Sequence, residues 1–258
     1  LLGQPTTAKN PGILLGKIQS GKTKTFLGVT ALAFDNGYDI AVILTKPTTA
    51  LAKQTCKRVH RDFADFIEAD QAKAYDILEV PERLTQFELN QKIILIVKKQ
   101  KHNLERLAEA LLHTYPQLAR KRILLIDDEA DNASIGYFYT KAGELELRTI
   151  AGQVDELRQQ LPAASFLQVT ATPYSLYLQP EDSPPGLQIA PVRPKFTELV
   201  PVHSDYVGGH FYFEESRQAQ SPAHYVFHPV KADELEVLRQ PDGRRLKLED
   251  CLVSPRIE

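Results

Sequence analysis

Short apolar runs punctuate the first 170 residues: Ile13 to Leu15, Asp39 to Thr45 (DIAVILT), Lys92 to Lys98 (KIILIVK), Arg122 to Asp127 (RILLID) and Ser165 to Thr170 (SFLQVT). Each is apolar at successive positions rather than alternate ones, which is the pattern of a strand buried on both faces. Ile77 to Val80 is a weaker candidate of the same kind. Between these runs the period changes to that of a helix. Thr23 to Asn36 places Phe26, Val29, Thr30 and Ala33 on one stripe and ends in an Asn36-Gly37 stop signal. Thr49 to about Ala69 reads as a second helix, Asn103 to Tyr115 as a third with Leu104, Leu107, Ala108, Leu111 and Leu112 in register, and Gln153 to Leu161 as a fourth. Buried strands alternating with amphipathic helices predict an α/β fold, a parallel sheet with helices on both faces.

The pattern changes near Gln179, where Pro180, Pro184, Pro185, Pro191, Pro194 and Pro201 crowd one stretch. Beyond it, Tyr206 to Phe213 and His224 to Pro229 alternate, and Pro241-Asp242-Gly243 is a turn signal. The expected organisation is an α/β domain over 1–180, then a Pro-rich connector and a small β-rich or irregular appendage over 181–258.

Composition narrows the class. Of 258 residues, 43% are hydrophobic and 25% charged, ordinary values for a globular chain and far from those of a disordered or fibrous one. The net charge of −2 supplies no global field toward nucleic acid or membrane, although a local basic stripe is compatible with it. No apolar run approaches the ~18–20 residues of a spanning helix, and the start carries no charged-then-apolar leader, so no membrane role is expected. Cys56 and Cys251 form no paired motif, which points to a reducing, cytoplasmic setting. The seven histidines show no metal-ligand spacing. A chain with no methionine reads as a fragment or a processed form.

Chemistry concentrates at the ends of the apolar runs. Gly16-Lys17-Ile18-Gln19-Ser20-Gly21-Lys22-Thr23 satisfies G-x-x-x-x-G-K-[ST], with a strand before it and a helix after it. Glycines let the backbone curl so that its N–H groups converge on phosphate oxygens, and the following helix adds positive potential. Gly16, Gln19, Ser20, Gly21, Lys22 and Thr23 are the candidate ATP site, with Lys22 reaching the outer phosphates and Thr23 ligating Mg2+. A glycine-rich turn that binds nothing is the bland alternative.

The run Ile123 to Ile126 ends in Asp127-Asp128-Glu129-Ala130-Asp131. In a parallel sheet the carboxyl ends of the strands share one edge, where ligands bind. Asp128 is the candidate metal ligand and Glu129 the candidate general base for an attacking water. Asp127 is the rival for the metal role, since a one-residue shift in register exchanges the two. The bland alternative is an acidic helix start.

With these motifs in place the chain resembles the first RecA-like motor domain of a superfamily-two helicase or translocase. Asp128-Glu129-Ala130-Asp131 reads D-E-A-D. Pro47 to Thr55 resembles the P-T-x-x-L-x-x-Q segment that contacts the nucleic-acid backbone there, which implies that role for Thr48, Thr49 and Gln54. Thr170-Ala171-Thr172-Pro173 resembles the [ST]-A-T segment, which implies that Thr170 and Thr172 couple hydrolysis to the nucleic-acid site. The resemblance covers about 13–175 and follows the family's order. The wording Q-S-G-K-T, D-D-E-A-D and T-A-T-P, with Tyr206-Val207-Gly208-Gly209 after it, is similar to endonuclease-associated ATPases of bacterial restriction and phage defence.

The resemblance implies a Mg2+-dependent ATPase that moves on or remodels nucleic acid, DNA in preference to RNA, together with nuclease or defence-system subunits. It also implies a second motor domain, from the parent chain, that this sequence does not contain. Without that domain's arginine fingers hydrolysis is expected to be weak. Gln240-Pro241-Asp242-Gly243-Arg244-Arg245 resembles a finger segment only superficially and reads as a turn.

The alternative function is a nucleotide-dependent switch or assembly ATPase that acts on a protein without nucleic acid. The Pro47–Thr55 and Thr170–Pro173 segments, which such a protein does not need, discriminate against it. A motor fold kept only as a scaffold is the weakest reading, given intact Lys22, Thr23, Asp128 and Glu129. Lys98, Lys99, Lys101 and His102, just past a strand end, suit either a phosphate backbone or a solvated loop. Lys53, Lys57, Arg58 and Arg61 read as an exposed helix face. Arg120, Lys121 and Arg122 belong at the far end of their strand.

Overall fold

The computed structural model describes residues 6–7, 10–131, 137–139, 145–147, 149–161, 163–178 and 192–226. The chain divides into a unit over Leu1–Val202 and a unit over His203–Glu258.

In the first unit the elements run β1 (Gly12–Leu15), α1 (Lys22–Asp35), β2 (Ile40–Thr45), α2 (Thr49–Asp62), α3 (Ala64–Glu68), β3 (Ala72–Asp76), α4 (Gln86–Asn90), β4 (Lys92–Lys98) and α5 (Lys101–Ala108). There follow β5 (Ile123–Asp128), a two-stranded antiparallel pair β6 (Tyr137–Tyr139) and β7 (Leu145–Leu147), then α6 (Thr149–Gln160), β8 (Ser165–Thr170), α7 (Tyr174–Tyr177) and β9 (Phe196–Leu199). Seven strands form one sheet in the order β3-β4-β2-β5-β8-β1-β9, and every pairing is parallel.

Alternate residues of the central strands feed opposite cores. Ile40, Val42 and Leu44 join Ile93, Leu95, Val97, Leu125 and Phe166 beneath Leu104, Leu107, Val154 and Leu157 of α5 and α6. Ala41, Ile43, Ile94, Ile96, Leu124, Ile126, Leu167 and Val169 face Phe26, Leu27, Val59 and Phe63 on the other side. That division accounts for the continuous apolar runs: each residue of β2 is buried, whichever face it takes.

The structure departs from the sequence expectations in particular places. The strand expected at Ile77 to Val80 forms instead at Ala72–Asp76, with Ala72 and Ala74 as its buried positions. Alanine is a weak apolar signal, and only Ile77 of the expected run continues the pairing, its N–H donating to Ile96 O at 2.9 Å. The helix expected over Thr49 to Ala69 breaks at Phe63, whose ring turns into the core and meets Phe34 edge-on at 6.3 Å. The helix from Lys101 finishes as a π-helical turn, Glu109–Thr114. Helix α6 begins at Thr149, earlier than its apolar periodicity suggested.

Strand β9 lies within the stretch read as connector. It pairs with β1, and the Phe196 ring covers Gly12, where a Cβ would stand 2.5 Å from the ring's Cζ. Arg122 lies at the amino-terminal edge of the sheet, stacked on Tyr38 and donating to Asn36 O.

In the second unit, the alternation at Tyr206 to Phe213 resolves not into a strand but into a short helix, α8 (Gly209–Phe213). A 3-10 turn at Glu215–Arg217 and α9 (Ala223–Val226) follow. The Tyr206 ring lies against Gly208, so close that a Cβ there would be 2.4 Å from it. That contact, rather than a strand's partner, uses the aromatic. The Pro241-Asp242-Gly243 turn and the Gln240–Arg245 segment lie outside the described residues.

Candidate nucleotide site

Strand β1 delivers the chain to its carboxyl end, and the loop Gly16–Gly21 joins it to α1. Two residues there take left-handed backbone, Gln19 at φ 59 and Gly21 at φ 95. At Gly16 the requirement is space: a Cβ would stand 2.6 Å from Lys22 Cγ and 2.9 Å from Ser20 Oγ. The Lys22 stem therefore lies over Gly16, and its Nζ donates to Lys17 O at 3.2 Å, curling the loop around its own lysine. Ser20 Oγ is buried and has no hydrogen-bond partner among the described residues. An orphaned hydroxyl, a glycine cradle and a lysine at a helix start together fit a phosphate.

The next strand is β8. Gly16 N–H donates to Thr170 O at 3.0 Å, which ties the loop to the Thr170-Ala171-Thr172 segment. One strand further on is β5 with its acidic end. Asp127 and Asp128 part company there. Asp127 is fully buried, and Lys99 donates to its Oδ1 at 2.9 Å. Asp128 is less enclosed. Burial pushes its carboxyl up to about 6, the Glu129 charge adds to that, and the ammoniums of Lys99 and Lys22 pull against it. Glu129 occupies left-handed backbone at φ 55, and its Oε1 lies 3.6 Å from Lys46 Nζ.

Asp131, the last letter of D-E-A-D, accepts from Thr170 Oγ1 at 2.7 Å and from Thr172 Oγ1. Thr170 Oγ1 in turn accepts from Thr172 N–H at 3.0 Å. Burial alone would raise the Asp131 carboxyl, but these hydroxyl donors outweigh it and hold the group below its ordinary range.

Gly16, Ser20, Lys22, Asp128, Glu129, Thr170 and Thr172 thus share one edge of the sheet. Thr48 and Thr49, at the start of α2 beyond β2, are exposed, as is Gln54 further along that helix. No described hydrogen bond joins these three to the loop or to the acidic strand end.

Three residues that the structure brings to this edge were not singled out for it in the sequence. Asp131 was visible as the end of the acidic run. Lys46 and Lys99 each follow an apolar strand, which is the available signal, but a lysine there looks like solvated charge until the strand order is known. Of the Lys98–His102 group, Lys99 is 1% exposed and points into the protein, whereas Lys101 and His102 are exposed.

No helix among the described residues is long and apolar enough to cross a membrane. The family model for the type III restriction enzyme res subunit matches residues 7–175. No curated protein matches the chain. Among solved structures, the DUF1998 helicase MrfA bound to DNA and AMPPNP aligns at 16% identity and a TM-score of 0.44, over 74% of this chain and 25% of that one. The Pyrococcus furiosus Hef helicase domain aligns at 16% identity and a TM-score of 0.43, over 75% of this chain and 35% of that one. The chain therefore spans between a quarter and about a third of the structures it aligns with. The matched family span contains the phosphate loop, the acidic strand end, β8 and the threonine segment that follows it, so the chain belongs to the family of the type III restriction enzyme res subunit, as a helicase-type motor domain of RecA-like fold.

Proposed function

We propose that this domain binds Mg-ATP at Gly16 to Thr23 and couples its hydrolysis to movement on, or remodelling of, DNA in a bacterial restriction or phage-defence system. The observation that carries the reading is the hydrogen-bonded path from phosphate loop to acidic strand end: Gly16 to Thr170, and Thr170 and Thr172 to Asp131. A simple nucleotide-binding loop needs no such path. A motor does, because it must report the state of the γ-phosphate elsewhere.

In this reading Lys22 neutralises the outer phosphates, while Thr23 and Asp128 hold the Mg2+, which would spread the charge of the transferred phosphoryl group. Glu129 orients the attacking water and takes its proton. Lys46, 3.6 Å away, keeps that carboxylate at the edge of the sheet. Asp128, with its raised carboxyl, gains most from a cation beside it. Asp131 and the two threonines carry the signal, and Thr48 and Thr49 at the exposed start of α2, with Gln54 further along it, receive the nucleic-acid backbone. An arginine supplied in trans by another motor domain completes the machine. Such an arginine is worth roughly 10³–10⁵ in rate, so the domain alone is a slow ATPase.

The test is ATP turnover by the protein with and without duplex DNA, single-stranded DNA and RNA. Stimulation by DNA is expected, and Lys22→Ala abolishes both nucleotide binding and turnover. Wild-type affinity in Lys22→Ala sinks the site assignment. Turnover that no nucleic acid changes transfers the site to a switch ATPase with a protein partner.

A further inference from the structure

Lys99 stands one residue past β4, and its side chain is fully buried. Strand β2 lies between β4 and β5, so the lysine must cross two strand spacings, roughly 9–10 Å, to reach the acidic strand end. It does reach it. Its Nζ donates to Asp127 Oδ1 at 2.9 Å, to Asp128 O at 2.9 Å and to Glu129 O at 2.8 Å. An ammonium carries three protons, enough to serve all three of these acceptors at once.

A buried ion pair alone is a poor reason to keep a lysine here, because a well-packed apolar pair serves stability as well or better. The two carbonyls are the informative contacts. They flank the point where β5 stops and the backbone enters the left-handed region at Glu129, a conformation that a residue with a side chain adopts at a cost. Immediately afterwards Ala130 N–H returns to the neighbouring strand, donating to Val169 O at 3.1 Å. One cation therefore gathers two successive carbonyls that would otherwise diverge, and so fixes the peptide from which both the Asp128 and Glu129 side chains depart.

We propose that Lys99 is a positioning residue for ATP hydrolysis: by clamping the carbonyl oxygens of Asp128 and Glu129 it holds the left-handed turn that sets the metal-binding and water-orienting carboxylates. This rests on the motor reading above. Lys99 acts through the backbone carbonyls that carry the two carboxylates. Its loss acts on the chemical step and leaves the phosphate loop, two strands from β5, as it was.

The experiment compares wild type, Lys99→Met and Lys99→Arg as full chains, measuring ATP turnover and, separately, equilibrium affinity for a fluorescent ATP analogue. Lys99→Met keeps the length and removes the donors. Its kcat is expected to fall about 100-fold, the scale of a misplaced catalytic group, with affinity within about threefold of wild type. Lys99→Arg keeps a cation beside Asp127 but presents a planar fork in place of a tetrahedral ammonium. It serves where the methionine variant does not fold, and about a tenfold loss of kcat at unchanged affinity is expected. Wild-type kcat in either variant overturns the proposal. So does a parallel fall of kcat and affinity in both, which would give Lys99 a role in folding only. Wild-type protein with no turnover under any condition overturns the motor reading, and this proposal with it.

Discussion

At Gly16 the side chain that is absent decides the geometry of the one that follows. Lys22 lies back over the glycine, and the added methyl of Gly16→Ala would stand 2.6 Å from its Cγ. The lysine must move, and with it the curl that gathers the loop's N–H groups. Gly16→Ala is expected to weaken nucleotide binding at least about tenfold while changing the melting temperature little, since the loop lies outside both cores. Titration with a fluorescent ATP analogue measures the first quantity and a melting curve the second. Asp131 makes the opposite case. It touches the two threonines rather than the loop, so Asp131→Asn is expected to keep nucleotide affinity and to lose the stimulation of turnover by DNA. A variant still stimulated as strongly as wild type would remove Asp131 from the coupling path. The motif residues were legible because their chemistry is local: a loop, a lysine and a hydroxyl lie within eight positions. Lys46 and Lys99 were not, because their partners lie on strands that only the sheet order brings beside them.

Among the elements, short α4 carries its own start signal. Thr85 Oγ1 accepts from Glu88 N–H at 3.2 Å, and Glu88 Oε2 accepts from Thr85 N–H at 2.7 Å, a reciprocal cap. The T-x-x-E spacing was present in the sequence, yet no apolar stripe accompanied it, and a five-residue helix has too few turns to show a period. Thr85→Ala is expected to cost about 1 kcal/mol, read as a lowered unfolding midpoint. The cap is also sensitive to acid. The Thr85 backbone N–H, then its hydroxyl, hold the Glu88 carboxyl below its usual range. A depressed carboxyl contributes stability above its unfolded value and loses it as pH falls through the folded one. The gap between wild type and Thr85→Ala should therefore persist at neutral pH and narrow below the ordinary glutamate range. A gap that widens on acidification would exclude the Glu88 carboxylate as its source. Strand β9 was missed for a related reason: four residues among prolines offer no periodicity, and what recruits them is a ring that fits over Gly12.

For the molecule as a whole, the legible part was the alternation of buried runs and amphipathic helices, which fixes a parallel sheet with two covered faces and gathers the motif-bearing strand ends along one edge. Nothing in that alternation orders the strands. The order β4-β2-β5-β8-β1 makes the loop, the threonine segment and the acidic end neighbours. A ligand held at that edge touches the ends of several strands whose cores are shared, so its binding is felt by the cooperative unit rather than by a loop. Binding to the folded state alone stabilises by RT ln(1 + [L]/Kd), about 2.7 kcal/mol at one hundred times Kd. For a chain of this size each kcal/mol moves the melting temperature by roughly 2–4 °C, so saturating Mg-ATP is expected to raise it by roughly 5–10 °C. Lys22→Ala should abolish the shift, and Lys99→Met should keep it, because the first loses binding and the second only the chemical step. Equal shifts in wild type and Lys22→Ala would place the nucleotide somewhere other than the Gly16 to Thr23 loop. A shift lost in Lys99→Met would mean that binding falls together with turnover, and would count against a role for Lys99 confined to the chemical step.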